Sequence, residues 1–321
     1  MIYCLDWGEQ QKVQVGTLRM SDNRIGFIGL GRMGSGMAAN LMGKVGPIHV
    51  CDMNPEAVAR LAGKGALVAA SPAELAARCD LVFLCVPFAP EVRAAMFGAN
   101  GLASGARKGL TVVDTTTLDR TDALDIAREA ADAGIIYWDC PISGMPFRAE
   151  NGTLTVMFGG TAEAFAGVKP CLDAFGKDVI HCGALGSGQA MKAINNIVYN
   201  VNIAAICEAL PLALAVGLDA DAVARVMMTA SARSFASEYF VPRMMERRFD
   251  SDFAMEDAYK DIVNVQHMAI ETGAMLPVIS AMIASYQAAM AAGHGREPKS
   301  AILKVYENAL GVEFKKPTTE S

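Results

Sequence analysis

Residues 24–30 form a short apolar run, RIGFIGL, and apolar positions then recur at helical spacing through GRMGSGMAANLMGKVG, with Gly43 and Gly46 as stop signals. The alternation repeats along the chain. Further strands are predicted at 48–52, 67–69, 81–86 and 111–115, and another begins at 137–140; helices are predicted at 55–62, 91–97 and 120–133. Ser71-Pro72-Ala73-Glu74 reads as a cap, a proline at the first helical position and a Glu three residues after the Ser. Residues 81–86, LVFLCV, have no polar face before Pro87, as a parallel strand covered on both sides requires. Strands alternating with helices predict a doubly wound, mostly parallel sheet.

The pattern changes near Gly186. From Gln189 onward the chain is rich in Ala, Met and Leu at helical spacing, with no clear strand. Residues 190–216 read as one long helix whose only breaker, Pro211, can kink it. The expected fold class is therefore an α/β N-terminal Rossmann domain plus an all-α C-terminal domain, joined by a long interdomain helix. The expected divisions are an N-terminal extension (1–23), a dinucleotide-binding domain (24–185) and a helical domain (186–321). The apolar character of the helical part suggests a homo-oligomer, dimer or tetramer.

Composition narrows the function classes. Of 321 residues, 52% are hydrophobic and 19% charged, which supports a real core and excludes disorder. A formal net charge of −6 argues against nucleic acid or an anionic membrane as a partner. No uninterrupted apolar run reaches the roughly 18 residues of a membrane span. Eight cysteines without a CxxC pair predict reduced thiols and a cytoplasmic protein. Four scattered histidines predict no metal site. Residues 1–23 lack the basic start and apolar centre of a signal peptide, and Met20 is a candidate for the true translation start.

Gly29-Leu30-Gly31-Arg32-Met33-Gly34 is a GxGxxG placed directly after a predicted strand and opening a helix, the context that motif needs. Gly29 permits the turn, Gly31 lets the backbone approach a pyrophosphate, and Gly34 lets helix and strand pack closely. The free N–H groups of the helix start face the phosphates. Asp52 ends the second strand, about 20 residues on, where a carboxylate accepts both ribose hydroxyls of NAD and repels the 2′-phosphate of NADP. Arg32 and Met33 within the loop, and Val86 and Pro87 after the fourth strand, are counted with the cofactor site. NAD is expected, and NADP is the less favoured alternative that Arg32 keeps open.

Moving a hydride between nicotinamide and a carbinol carbon requires a group that takes or returns the hydroxyl proton, which a lysine of lowered pKa can do. Lys192 sits one or two turns into the long helix, with Asn195 and Asn196 three and four residues on, so that an ammonium and two amides project together toward one cleft.

Three segments together resemble the β-hydroxyacid dehydrogenase family, which includes 3-hydroxyisobutyrate dehydrogenases and tartronate semialdehyde reductases and is related to 6-phosphogluconate dehydrogenase through the NAD-binding domain. They are GLGRMGSGMAANLMGKVG, DCPISGMPFRAENGTLTVMFGG and GSGQAMKAINN, in order over residues 24–311. The resemblance implies Lys192 as catalytic acid/base and Asn196 as substrate binder, with Asn195 orienting Lys192 or touching substrate. It also implies Ser143 and Gly144 as the loop that holds the substrate carboxylate, and Thr116 near nicotinamide and substrate. Lys260, paired with Asp261, would reach the site from the helical domain, on the cofactor side. The implied substrate is a small 3-hydroxy acid or its semialdehyde partner.

The chain departs from the family at several positions. Met145 replaces a glycine and Pro146, which has no N–H, follows, so the loop offers fewer backbone donors; Arg148 is a candidate replacement contact for an anion. Arg120 stands for a proline, Phe235 for a larger aromatic, and 293–299 is more basic than usual. These changes predict a substrate other than hydroxyisobutyrate. An imine or carbonyl reductase on the same architecture is one alternative, against which Lys192 argues. A 6-phosphogluconate dehydrogenase is longer and has His at the place of Asn195. A non-catalytic dinucleotide-binding scaffold is the alternative of a different class.

Overall fold

The computed structural model describes residues 24–250 and 253–316. The N-terminal extension and the expected start at Met20 lie outside the described residues. The chain divides into two compact units between Lys192 and Ala193.

The first unit is built on one sheet. Its strands are β1 (Ile25–Ile28), β2 (His49–Cys51), β3 (Leu67–Val68), β4 (Leu81–Leu84), β5 (Thr111–Asp114), β6 (Ile136–Asp139), β7 (Ile142–Ser143), β8 (Leu154–Gly159) and β9 (Gly176–Gly183). The order is β3-β2-β1-β4-β5-β6-β8-β7, with β9 also paired to β8. Strands β1 to β6 are parallel throughout, and β8 runs antiparallel to both β6 and β7. Helices α1 (Gly34–Val45), α2 (Pro55–Ala62), α3 (Pro72–Arg78), α4 (Ala89–Phe97), α5 (Leu102–Gly105), α6 (Arg120–Asp132), α7 (Pro146–Glu150) and α8 (Ala162–Leu172) cover it.

Alternation within the strands explains why both faces are covered. Phe27, Leu81, Phe83, Val113 and Trp138 join one core with Met37, Leu41 and Phe175, while Ile28, Val82, Leu84, Val112 and Tyr137 join a second with Leu75, Val92 and Ile126. Successive side chains of a strand point to opposite faces, so a strand apolar at every position needs helices on both sides.

The predicted elements up to residue 140 agree with the structure to within a few residues, and α2 has the predicted bounds. The Ser71 cap forms, since Ser71 Oγ accepts the Glu74 N–H at 3.2 Å. Glu74 does not close the box on Ser71; its carboxylate accepts the Ala70 N–H at 2.7 Å instead. Strands β7, β8 and β9 have no counterpart in the sequence reading. Strand β7 is only two residues long, and β9 is exposed or half-buried along most of its length, so neither leaves an apolar signature.

The second unit is helical. Helix α9 (Ser187–Ala215) spans the division between the units: its first turn is bonded to the first unit, and its later residues Ile197, Ile203, Cys207 and Leu210 are buried in the second core. α10 (Ala220–Thr229), α11 (Phe235–Met245), α12 (Met255–Ala258), α13 (Lys260–Thr272), α14 (Pro277–Ala289) and α15 (Leu303–Leu310) follow, with a π-helical segment at Met290–His294 and a 3-10 turn at Lys299–Ile302. One isolated bridge, Ala254 to Pro298, is the sole β pairing among the described residues of this unit. By length and composition α9, at 29 residues, could cross a membrane. Its Asn195, Asn196, Asn200, Asn202 and Glu208, together with its residues in the second core, fit the core helix of a folded domain. It continues as helix through Pro211.

The seven described cysteines are unpaired. Cys140 and Cys171 belong to the first core, Cys51 and Cys79 to the second face of the sheet, and Cys207 to the helical core. Burial raises their thiols, Cys171 to about 11 and Cys79 to about 12.

Candidate active site

The first unit gathers its candidate groups where the parallel strands end. Gly29 follows β1, Asp52 follows β2, Pro87 lies beyond β4, Thr116 lies beyond β5, and Asp139 closes β6. β1 and β4 are neighbours while the chain continues outward in both directions, which makes this edge the switch point where such sheets bind ligands.

The glycine loop is shaped by contacts that exclude side chains. Gly29 has φ +93°, and a Cβ there would lie 2.1 Å from the Cys85 carbonyl oxygen. A Cβ on Gly34 would lie 1.9 Å from the Gly29 carbonyl oxygen. Around Gly31 there is open space, with no atom within 4 Å of the corresponding position, so its lack of a side chain answers no internal crowding. An exposed glycine at the start of a helix that has no side-chain cap leaves room for a pyrophosphate against backbone N–H groups. Arg32 beside it is exposed and Met33, the cap residue, is half-buried.

Asp52 closes this loop from the second strand. One carboxylate oxygen accepts the Leu30 N–H and the other accepts the Asn54 N–H at 2.7 Å. The carboxylate is half-exposed, and each oxygen keeps a lone pair for a ribose hydroxyl. These residues fit a dinucleotide with an unphosphorylated ribose. Asp52→Ala is expected to weaken NAD binding roughly 10- to 100-fold, the range for hydrogen bonds to a charged group. Fluorescence titration checks this; an unchanged Kd would remove Asp52 from the ribose site.

The loop after β5 is held from three directions. Thr115 Oγ1 donates to the Leu84 carbonyl at 2.6 Å. Thr116 Oγ1 accepts the Val86 N–H at 3.2 Å, joining the loop after β5 to Val86-Pro87 after β4. The Thr116 N–H donates to Asp114 at 2.9 Å, and the Tyr137 hydroxyl donates to the other Asp114 oxygen at 2.7 Å. Thr116 is buried at 3% exposure, and its carbonyl accepts the Gln189 side-chain amide at 2.7 Å.

Ser143 lies at the end of β7, half-buried, and Gly144 has φ +144°, where a side chain would strain the backbone. Met145 caps α7 and Pro146 opens it. The Arg148 stem lies 3.2 Å from the position of a Gly144 Cβ, so the arginine runs along this loop. Lys192 is half-buried on α9, one turn after its first bonded residues.

In the second unit, Asn196 Nδ2 donates to Asp261 Oδ2 at 2.9 Å, and Asn195 Nδ2 donates to Asn196 Oδ1 at 3.2 Å. Asp261 is 7% exposed, which separates it from an ordinary surface pair. It fixes which way the Asn196 amide turns. Lys260 precedes it at the start of α13, half-buried.

Two buried acids escaped the sequence reading. Asp114 and Asp139 are both 0% exposed, and burial raises each to about 6 despite the hydrogen bonds that favour the charged form. Each closes a parallel strand, and an acid at the last position of an otherwise apolar strand was the available signal. The unfolded chain sheds these protons near pH 3.9. Between about pH 4 and 6 the folded chain therefore binds more protons, so this contribution to stability falls as pH rises through that window. Asp114→Asn should gain on wild type by on the order of 2 kcal/mol between pH 4.5 and pH 7.5 in urea unfolding. A difference independent of pH would contradict the burial argument.

Comparison with known proteins adds an independent line. Residues 24–183 match the family described as the NAD binding domain of 6-phosphogluconate dehydrogenase, and residues 186–306 match the one described as NAD-binding of NADP-dependent 3-hydroxyisobutyrate dehydrogenase. The chain is 34% identical to 2-(hydroxymethyl)glutarate dehydrogenase of Eubacterium barkeri, over 90% of this chain and 96% of that protein. It is 36% identical to L-threonate dehydrogenase of Cupriavidus necator, over 89% of this chain and 97% of that one. The crystal structure of 3-hydroxyisobutyrate dehydrogenase from Salmonella typhimurium superposes with a TM-score of 0.78 at 31% identity, covering 88% of this chain and 99% of that one.

Proposed function

The chain belongs to the β-hydroxyacid dehydrogenase family, and from that premise we propose that it transfers a hydride between NAD and a small 3-hydroxy acid, with Lys192 moving the hydroxyl proton. The observation that carries the reading is the convergence of the open Gly31 loop, the Asp52 carboxylate, Thr116 and the start of the Lys192 helix on one edge of the sheet.

NAD, when bound, accepts or returns the hydride at nicotinamide C4. The chain's own residues do the rest. In the oxidative direction, a neutral Lys192 Nζ takes the proton of the substrate hydroxyl as the carbonyl forms, and returns it in the reverse direction. Ser143 and the Gly144 backbone hold the substrate carboxylate, and Asn196, its amide turned by Asp261, donates to or accepts from substrate oxygen. Asn195, Thr116, Val86, Pro87, Arg32, Met33 and Lys260 complete the proposed contacts. The dicarboxylate and polyhydroxy acids named for the two relatives, together with the Met145-Pro146 departure, support a substrate larger than hydroxyisobutyrate.

We infer a cytoplasmic location, supported by the seven unpaired thiols. A dimer or tetramer is supported by Leu212, Val216, Leu218 and Val226, each more than half exposed.

Absorbance of the reduced nicotinamide tests the function. Purified protein with NAD, and separately with NADP, is offered hydroxyisobutyrate, serine, threonate, glycerate, hydroxybutyrate, phenylserine and 2-(hydroxymethyl)glutarate. Turnover with NAD is expected. Turnover with NADP alone would overturn the role of Asp52 and point to Arg32. Cofactor binding without turnover on any of these acids would count against the hydroxy-acid reading.

A further inference from the structure

Asp139 and Gln189 join the first turn of α9 to the ends of two strands. α9 begins after Gly186, which has no side chain to cap it. The first N–H groups of a helix lack partners within it. Here a carboxylate 47 residues earlier supplies the cap. Asp139 Oδ1 accepts the Gly186 N–H at 2.6 Å, and Oδ2 accepts the Gln189 N–H at 2.8 Å. The fit around this carboxylate is close. A Cβ on Gly159 would lie 2.3 Å from Oδ1, and one on Gly188 would lie 2.8 Å from Oδ2 and 2.5 Å from the Met157 carbonyl oxygen.

The Gln189 side chain, 1% exposed, makes a second link. Nε2 donates to the Thr116 carbonyl at 2.7 Å, and Oε1 accepts the Leu118 N–H at 3.0 Å. One amide thus closes a two-bond clamp on the loop after β5. The helix start is fixed at its end by β6 and against rotation by this loop. Lys192 follows Gln189 by three residues, on the neighbouring turn of the same helix.

We propose that Asp139 and Gln189 are positioning residues for Lys192, setting the helix turn that carries it against the loop bearing Thr116. This rests on the reading of Lys192 as the proton-transfer group. A displacement of about 1 Å at a reacting group can cost 10²-fold in rate, so a clamp of this kind acts on kcat rather than on cofactor affinity.

A double-mutant cycle tests it on the full-length protein. Gln189→Met keeps volume and removes both bonds. It should lower kcat roughly 10- to 100-fold while the NAD Kd and the hydroxy-acid KM stay within about threefold. Gln189→Glu, which keeps the acceptor for Leu118 but sets a buried carboxylate oxygen against the Thr116 carbonyl, should lower kcat at least as far as Gln189→Met. In a Lys192→Ala background, Gln189→Met should change the residual rate less than about twofold. The proposal is overturned if Gln189→Met turns over within twofold of wild type, or if its full loss recurs without Lys192. It is also overturned if both Gln189 variants lose NAD binding, since the clamp would then serve the fold alone. Lys192→Ala turning over at the wild-type rate would instead remove the reading of Lys192 itself, so the two failures are distinct.

Discussion

Lys192→Ala should lower kcat by roughly 10²- to 10⁴-fold, the range for losing a positioned acid or base, and leave the NAD Kd within about threefold. The reason lies in where the residue sits. Lys192 is half-buried on a helix whose first turn is bonded to β6 and to the loop after β5, while the glycine loop and Asp52 lie after β1 and β2. Removing the Lys192 amine takes away a proton carrier without touching the groups proposed for the dinucleotide. Steady-state rates with NAD and the best hydroxy acid, beside a fluorescence titration of cofactor, separate the two effects. Partial recovery of rate on adding a small primary amine would strengthen the assignment. Wild-type turnover by the variant would end it.

Gly34→Ala should be the most damaging change at the cofactor loop. The added methyl would sit 1.9 Å from the Gly29 carbonyl oxygen and 3.2 Å from Phe27 Cε1. The first of these is backbone, so no rotamer change relieves it; α1 must move away from β1. Met37 and Leu41 on that helix are fully buried in the first core, so the movement also loosens packing. Overpacking of this kind costs about 1–3 kcal/mol and sometimes more. We expect a lower Tm and a loss of NAD affinity of at least roughly 10²-fold, about 2.7 kcal/mol. Gly31→Ala is the control, since that position meets nothing within 4 Å in the free protein. It should keep the wild-type Tm and still weaken NAD. A Gly34→Ala protein with native Tm and native Kd would contradict the packing argument.

The parallel half of the sheet was legible in the sequence because its strands are apolar at most positions, with polar groups such as His49, Asp114 and Asp139 at their ends, and its helices carry one apolar face each. The glycine loop was legible because its three glycines follow a strand at fixed offsets, and Lys192 stood out as a candidate because it lies among apolar residues beside two asparagines. Strands β7 and β9 were not legible, since β7 is two residues long and β9 is exposed or half-buried along most of its length. Asp139 and Gln189 lay inside recognised segments but carried no visible role. Their bonds span 47 to 73 residues, and a helix capped by a distant strand leaves no periodic trace at its own start. The pair at Lys260 and Asp261 was visible as a motif. Only the fold shows that Asp261 receives the Asn196 amide, because that contact joins two helices 65 residues apart.

The distribution of thiols supplies the protein with its own clocks. Each of the three apolar cores holds at least one unpaired cysteine: Cys140 and Cys171 in one, Cys51 and Cys79 in the next, Cys207 in the third. A buried thiol held above its ordinary pKa reacts with an alkylating reagent only when its surroundings open. Labelling read cysteine by cysteine therefore times the opening of each core separately, in the native protein and without any introduced probe. Cofactor that tightens the glycine loop should slow the clocks of the sheet, and the rate at Cys207 would tell whether the helical core opens with the sheet or on its own.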